Sequence, residues 1–147
     1  MSSAEDDEAP SRWPRLPIFP LPRVQLFPHA LLPLHVFEPR YREMVKDALD
    51  GEGLIAVAAL EPGFEADYHG RPAVRAVIGV GEVIGHEALA DGRCNILLRG
   101  VARARIHAEL PPRQSYRLVD ATELVDLRMP ALDAGGAQQT LALLANE

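Results

Sequence analysis

The side chains of this 147-residue chain that could carry chemistry are few, and their spacing limits what they can do. Its five histidines, His29, His35, His69, His86 and His107, fall in no HExxH-type or other short ligand spacing, so no metal site is expected. Cys94 is the single cysteine, which rules out an internal disulfide framework and a Cys-rich zinc site. It falls on the apolar parity of its segment and reads as a small buried hydrophobe. Gly79-x-Gly81-x-x-x-Gly85 has neither the spacing nor the following helix of a dinucleotide-binding loop. No cofactor is expected. Glu38 and Arg40 flank Pro39. One reading makes Glu38 a general base or a peptide clamp. The other, adopted here, places a carboxylate at the positive end of a helix, where charge pairing fixes a structural junction. Arg99, Arg103 and Arg105 share one parity and could meet phosphates. Asp120, Glu123 and Asp126 follow on the next predicted strand and could neutralise them across the ladder. Aromatic side chains for base stacking are sparse there.

Composition narrows the classes further. Hydrophobic residues are 48% and charged residues 24%, an ordinary globular balance, and the length suggests one domain. The formal net charge is −6, and Glu5, Asp6, Asp7 and Glu8 supply much of it. The mildly acidic remainder argues against strong sequence-independent nucleic-acid binding. No apolar run approaches the roughly 18 residues of a membrane span, and the acidic start does not resemble a secretory signal. A cytoplasmic protein is the expectation.

The elements that must position these residues follow from periodicity and punctuation. Residues 1–12 read as a disordered acidic tail, 13–128 as a β-rich domain, and 129–147 as a linker and the start of a C-terminal Ala/Leu helix. The segment Leu16 to Pro39 is crowded with prolines and should form short edge strands, bends and crossovers. Tyr41, Met44, Val45, Ala48 and Leu49 make one apolar stripe between Pro39 at a helix start and Gly51 at its stop, predicting a helix over 39–50. Leu54 to Leu60 reads as a buried strand, Glu61 to Pro72 as a polar loop, and Val74 to Leu89 as a strand with glycine bulges. Asp91-Gly92 signals a type I′ hairpin turn. Beyond it Cys94, Ile96, Leu98, Ala102, Ala104, Ile106 and Ala108 alternate with a mostly polar set, and Gly100 lets the long strand bend. Ser115 to Val125 is a further strand.

Several blocks together resemble the N-terminal, substrate-binding domain family of Lon proteases. They are Leu16-Pro17-Ile18-Phe19-Pro20-Leu21-Pro22, Leu26-Phe27-Pro28 and Leu32-Pro33-Leu34-His35-Val36-Phe37-Glu38-Pro39-Arg40-Tyr41. Val80-Gly81-Glu82-Val83-Ile84, Asp91-Gly92-Arg93 and Leu97 to Ile106 complete the set. The resemblance implies a mainly β, α+β fold: a PUA-like, partly open β-barrel closing around one packed helix, with a short C-terminal helix. It also implies capture of unfolded or tagged polypeptide. The chain departs from the whole protease, with no Gly-x-x-x-x-Gly-Lys-Ser/Thr phosphate loop and no plausible Ser–Lys pair, since the lysine is Lys46 and the serine within the barrel is Ser115.

The leading expectation is therefore a non-catalytic polypeptide-binding module, with no catalytic residues, that uses an apolar groove or a free barrel edge. Phe27, Leu31, Leu32 and Phe64 are the candidate contacts, because each lies in a Pro/Gly-rich connection. Capping the barrel is the competing role for them. PUA-like barrels include RNA binders, so the alternative is an RNA-binding module using Arg99, Arg103 and Arg105. A hydrolase of unknown type is the third. A basic patch would favour RNA, a deep polar cleft an enzyme, and a shallow apolar patch peptide. A homo-oligomer, or a docking partner for the C-terminal helix, would cover a helix too short to stand alone.

Overall fold

The computed structural model describes residues 10–67 and 70–125. Along the chain run β1 (Arg12–Leu21), β2 (Leu31–Val36), α1 (Pro39–Asp50), β3 (Leu54–Ala59), a 3-10 turn (Phe64–Asp67), β4 (Val77–Ala88), β5 (Cys94–Glu109) and β6 (Arg117–Leu124). This is the mainly β architecture with one packed helix that the sequence predicts. The C-terminal helix, His69 and Asp126 lie outside the described residues. The tail boundary moves inward: Arg12 already opens β1, and the Ser11 N–H donates to Glu123 Oε1 at 3.0 Å.

β5, β4, β3, β1 and β6 are hydrogen-bonded in that order, and a β5–β6 pairing closes them into a ring. β5 makes the closure possible because it is long, at 16 residues. One of its edges carries β4. The other carries β2 along 94–99 and β6 along 103–109. β2 thus hangs on the ring and leaves it partly open.

The proline-rich β1 does not sit at an edge, as expected, but between β6 and β3. Its prolines fit because each lies where one side is unpaired. Pro14 falls in the register shift between Trp13 and Leu16, Pro17 pairs with β6 alone, and Pro20 pairs with β3 alone. A residue without an N–H is tolerated wherever that side of the ladder is open.

Side chains divide between the two faces of the sheet. Leu16, Ile18, Ala56, Ala58, Ile78, Val80, Ala102, Ala104, Val119 and Ala121 form an alanine-rich cluster drawn from all five ring strands. Small residues suit the narrow interior of a tightly curved sheet. Phe19, Leu26, Leu32, Ile55, Val57, Ile96, Leu98 and the helix residues Tyr41, Met44, Val45 and Ala48 form the second cluster. Leu49, expected in the same stripe, is exposed. At 100° per residue it lies about 80° round the axis from Tyr41, past the buried face. The helix ends at Asp50, but the left-handed residue is Gly53 (φ 73°), not Gly51, and its N–H bonds the Ala48 carbonyl at 2.7 Å.

Residues 22–30 form a strap joining β1 to β2 across this second face. It turns at Arg23 (φ 59°) and His29 (φ 73°). Between these bends its main chain lies against β4 and β5, and Leu26 is buried. A Cβ on Gly79 would stand 2.0 Å from the Leu26 carbonyl oxygen, and one on Gly100 would stand 2.0 Å from that of Phe27. Gly100 is therefore required by close approach, not by a left-handed backbone. The ladder does slip beside it, where Val101 is the extra residue between the Val80–Ala102 and Gly81–Gly100 pairs.

The β4–β5 hairpin also differs from expectation. Leu89 N–H donates to the Arg93 carbonyl at 2.9 Å, and Gly92 N–H donates to the Leu89 carbonyl at 3.1 Å. The loop is thus three residues, Ala90 to Gly92, with only Gly92 at positive φ (91°). That is a type I turn followed by a left-handed glycine, which spares Asp91 the strain of a type I′ turn. Asp91 instead accepts the Arg93 N–H at 3.1 Å.

Gly79→Ala and Gly100→Ala should each destabilise by at least about 2 kcal/mol, because the added methyl meets backbone that cannot rotate away. Gly85→Ala, whose methyl would meet the Leu97 Cβ at 3.3 Å, should fall below about 1 kcal/mol. Urea denaturation of the three variants checks the order.

Candidate binding cleft beside the first helix

Where β2 hands over to α1, the chain must leave the core and return. Val36 is buried at the end of β2, and Tyr41 is buried in the first turn of α1. Between them Phe37 points outward, 59% exposed. Glu38 is extended (φ −73°, ψ 138°), as a residue before proline should be. Its carbonyl accepts the Tyr41 and Arg42 N–H groups, both at 3.0 Å, and so starts the helix. The side chain makes no cap bond but accepts Arg40 Nε at 3.1 Å. Arg40 also lies 4.8 Å above the Tyr41 ring, which stacks on Phe19 with centroids 4.3 Å apart. The expected Glu38–Arg40 junction is therefore present, though half-exposed rather than buried.

This junction forms one wall of an apolar cleft of about 160 Å³. Phe19, Leu21, Leu34, Phe37, Tyr41 and Leu60 supply its lining, and Glu38, Arg40 and His35 its rim. The opposite wall includes Gly70 and Pro72. That wall is held by one buried guanidinium. Arg117 donates through Nε and Nη2 to Glu109, both at 2.8 Å, and through Nη1 to the Pro72 carbonyl at 2.9 Å. Arg71 pairs with the same carboxylate. The bidentate Arg117 bonds hold the Glu109 carboxyl below its ordinary value, with Arg71 adding to the effect against partial burial.

The other candidates do not gather here. Leu32 is buried in the core, where its parity on β2 turns it toward Leu98. Phe27 is half-buried on the strap and borders a separate cavity of about 400 Å³ with Arg75 and Arg103. Phe64 is half-buried in the 3-10 turn and engaged there. Leu31 is exposed, on the same strand as the cleft residues Leu34 and His35. The arginine stripe is split. Arg99 pairs with Glu82 at 2.6 Å. Arg103 and Arg105 face Leu124 and Thr122 across the β6 ladder. The expected neutralisation by Asp120 and Glu123 does not occur. Asp120 is taken by Arg12 at 2.9 Å, which lowers its pKa, and Glu123 accepts the Ser11 N–H.

Several groups with catalytic potential have structural partners or are buried. Burial raises the Cys94 pKa and so disfavours its thiolate. Ser115 Oγ donates to Glu43, and Lys46 is exposed on the helix. Tyr116 donates to Asp47 at 2.6 Å, and burial followed by that carboxylate pushes its pKa well up. A further cavity, about 640 Å³, lies between β1 and the end of α1 and is lined by Arg12, Arg15, Asp47 and Glu52 as well as Trp13.

The cleft and the ring define a class, a small mainly β domain that presents an apolar recess beside a packed helix. Comparisons with known proteins name it. Residues 15–144 match the family described as the ATP-dependent protease La (LON) substrate-binding domain, and the chain belongs to that family. A Lon protease of Azorhizobium caulinodans is 30% identical over 93 residues, which is 61% of this chain and 10% of that protein. The chain thus spans about a tenth of that relative's length. A Lon N-terminal domain protein from Xanthomonas campestris shares the fold with a TM-score of 0.62 and 22% identity, over 90% of this chain and 75% of that one. The N-terminal domain of a Mycobacterium avium complex Lon protease gives 0.58 and 14%, over the same shares.

The wall makes stability pH-dependent. Because the native Glu109 pKa is depressed, its contribution is fully present above the ordinary glutamate value of 4.5 and is lost as pH falls through the lower native value. Glu109→Gln should be less stable than the parent at pH 7, and the gap should shrink between pH 4.5 and about pH 3. Urea midpoints across that range check it.

Proposed function

We propose that this domain is a non-catalytic module that binds extended or unfolded polypeptide at the cleft beside α1, in the cytoplasm, as part of protein quality control. The observation that carries the reading is the cleft itself, an apolar recess with an exposed phenylalanine at its mouth. Its rim charges are cancelled by the Glu38–Arg40 pair. An uncharged rim does not select a charged small molecule, and it admits apolar segments that a folded protein would bury. Membership of a substrate-binding family supports the same direction.

Affinity should be modest, because ordering a flexible chain offsets much of the contact energy. Reduced, carboxymethylated lactalbumin should bind at micromolar levels by fluorescence anisotropy, and the native disulfide-bonded form should not. Phe37→Ser should weaken that binding at least about fivefold while leaving stability within about 0.5 kcal/mol, since the ring is mostly in water already. Equal binding by parent and variant would remove the cleft from the account.

The RNA reading retains one supporting observation. No described residue forms an ion pair with Arg103 or Arg105, and Arg103 borders a cavity that also holds Arg75. Under that reading single-stranded RNA would bind with a steep salt dependence and be lost in Arg103→Ala/Arg105→Ala. The apolar cleft with its paired Glu38–Arg40 rim favours polypeptide.

A further inference from the structure

We propose that bound polypeptide joins the sheet as an added strand on the free edge of β2 and seats one aromatic or large aliphatic side chain in the cleft. This rests on the polypeptide-binding reading and gives it a binding mode. β2 ends the strand order, so one side of it pairs with β5, and among the described residues no strand pairs with the other. The bond from Gly100 N–H to the Ala30 carbonyl, 2.8 Å, fixes which residues face which way. It places the close hydrogen-bonded pairs at Leu32–Leu98, Leu34–Ile96 and Val36–Cys94, in register with Ala30–Gly100. Leu31, Pro33 and His35 therefore aim their main chain away from β5. Pro33 agrees, since a residue with no N–H belongs where the ladder is open. The outward edge offers the N–H groups of Leu31 and His35 and the carbonyls of Leu31, Pro33 and His35.

Natural sheets blunt such edges with charge, bulges or prolines. β2, Leu-Leu-Pro-Leu-His-Val, holds one proline, no acidic residue and no lysine or arginine, and its pairing with β5 shows no register shift. The edge also runs directly into the cleft, because His35 belongs to both and the neighbouring Leu34 side chain lines the cleft. The volume then sets the occupant. A dry apolar cavity of about 150 Å³ accepts a benzene ring, and the cleft is about 160 Å³. One ring or one large aliphatic side chain fills it. Charge gives the same answer: Glu38 is paired with Arg40, and His35 with Asn95 at 2.8 Å, so the rim matches an uncharged segment. Main-chain bonds would supply sequence-tolerant affinity, and the cleft a single anchor.

His35→Pro tests the edge. It removes an outward donor without removing a bond to β5. Asn95→Ala is its control, because it deletes the same side-chain hydrogen bond and leaves the edge intact. The probes are reduced, carboxymethylated lactalbumin and an uncharged ten-residue peptide with one central phenylalanine. His35→Pro should raise the Kd for both at least about tenfold, with Asn95→Ala unchanged. Peptide N-methylation keeps the protein native. Methylating one alternate set of peptide nitrogens should abolish binding and methylating the other should not, and replacing the phenylalanine by alanine should weaken it by a similar factor. If lactalbumin binds but neither His35→Pro nor either methylated set weakens binding, the added strand is wrong while polypeptide binding stands. If neither probe binds the parent protein, both fail.

Discussion

The main chain of Leu26 and Phe27 lies directly on Gly79 and Gly100, and the arrangement of the second core follows from that contact. Any side chain at those two positions would overlap a carbonyl of the strap. The close approach buries Leu26 against Gly81 and Leu98 and brings the strap out beside Gly100. There the His29 and Ala30 main chain bonds β5, which sets the register of β2. β2 can then end at Val36 in the core, and the helix begins three residues later. The cleft occupies the space that this return leaves.

Local patterns in the sequence carried much of this architecture. The helix boundaries follow from Pro39, the stripe and the glycines after Asp50, and the alternation of β5 matches its burial residue by residue up to Ala104. The many short strands with Gly and Pro punctuation suggested a partly open barrel, and the Lon resemblance implied the same. What local patterns could not show were contacts between distant segments. The reason for Gly100 lies in Phe27, far away in sequence. The prolines of β1 look like edge residues because the sequence does not show that one strand is paired on different sides along its length. The Asp120 and Glu123 side chains answer to Arg12 and Ser11 from the N-terminal end, not to the arginines on the neighbouring strand.

The candidate site was legible in part. Glu38 and Arg40 were singled out because they flank a helix-starting proline, and Leu31 because it lies in a Pro/Gly-rich segment, which the structure places in β2. Phe37 carried the same junction signal and stands at the mouth of the cleft. For Leu32 both a contact and a capping role stayed open, because a parity on an edge strand is not fixed until its partner is known. The Glu109–Arg117 pair that holds the far wall links two strands through a carboxylate with no motif around it. Its role is to keep Pro72 opposite Phe19 and Tyr41, and a half-exposed ion pair elsewhere would contribute little. Around the cleft Glu38 pairs with Arg40, and Glu109 is shared by Arg117 and Arg71.

The central claim, that the β2 edge and the cleft beside α1 receive polypeptide, is tested most directly by amide NMR of the labelled domain titrated with reduced, carboxymethylated lactalbumin. Shifts should concentrate at Leu31, Leu34, His35, Phe37 and Arg40, with the His35 amide gaining protection from hydrogen exchange. Shifts centred instead on Arg75, Arg103 and Arg105, with the His35 amide unchanged, would contradict the account.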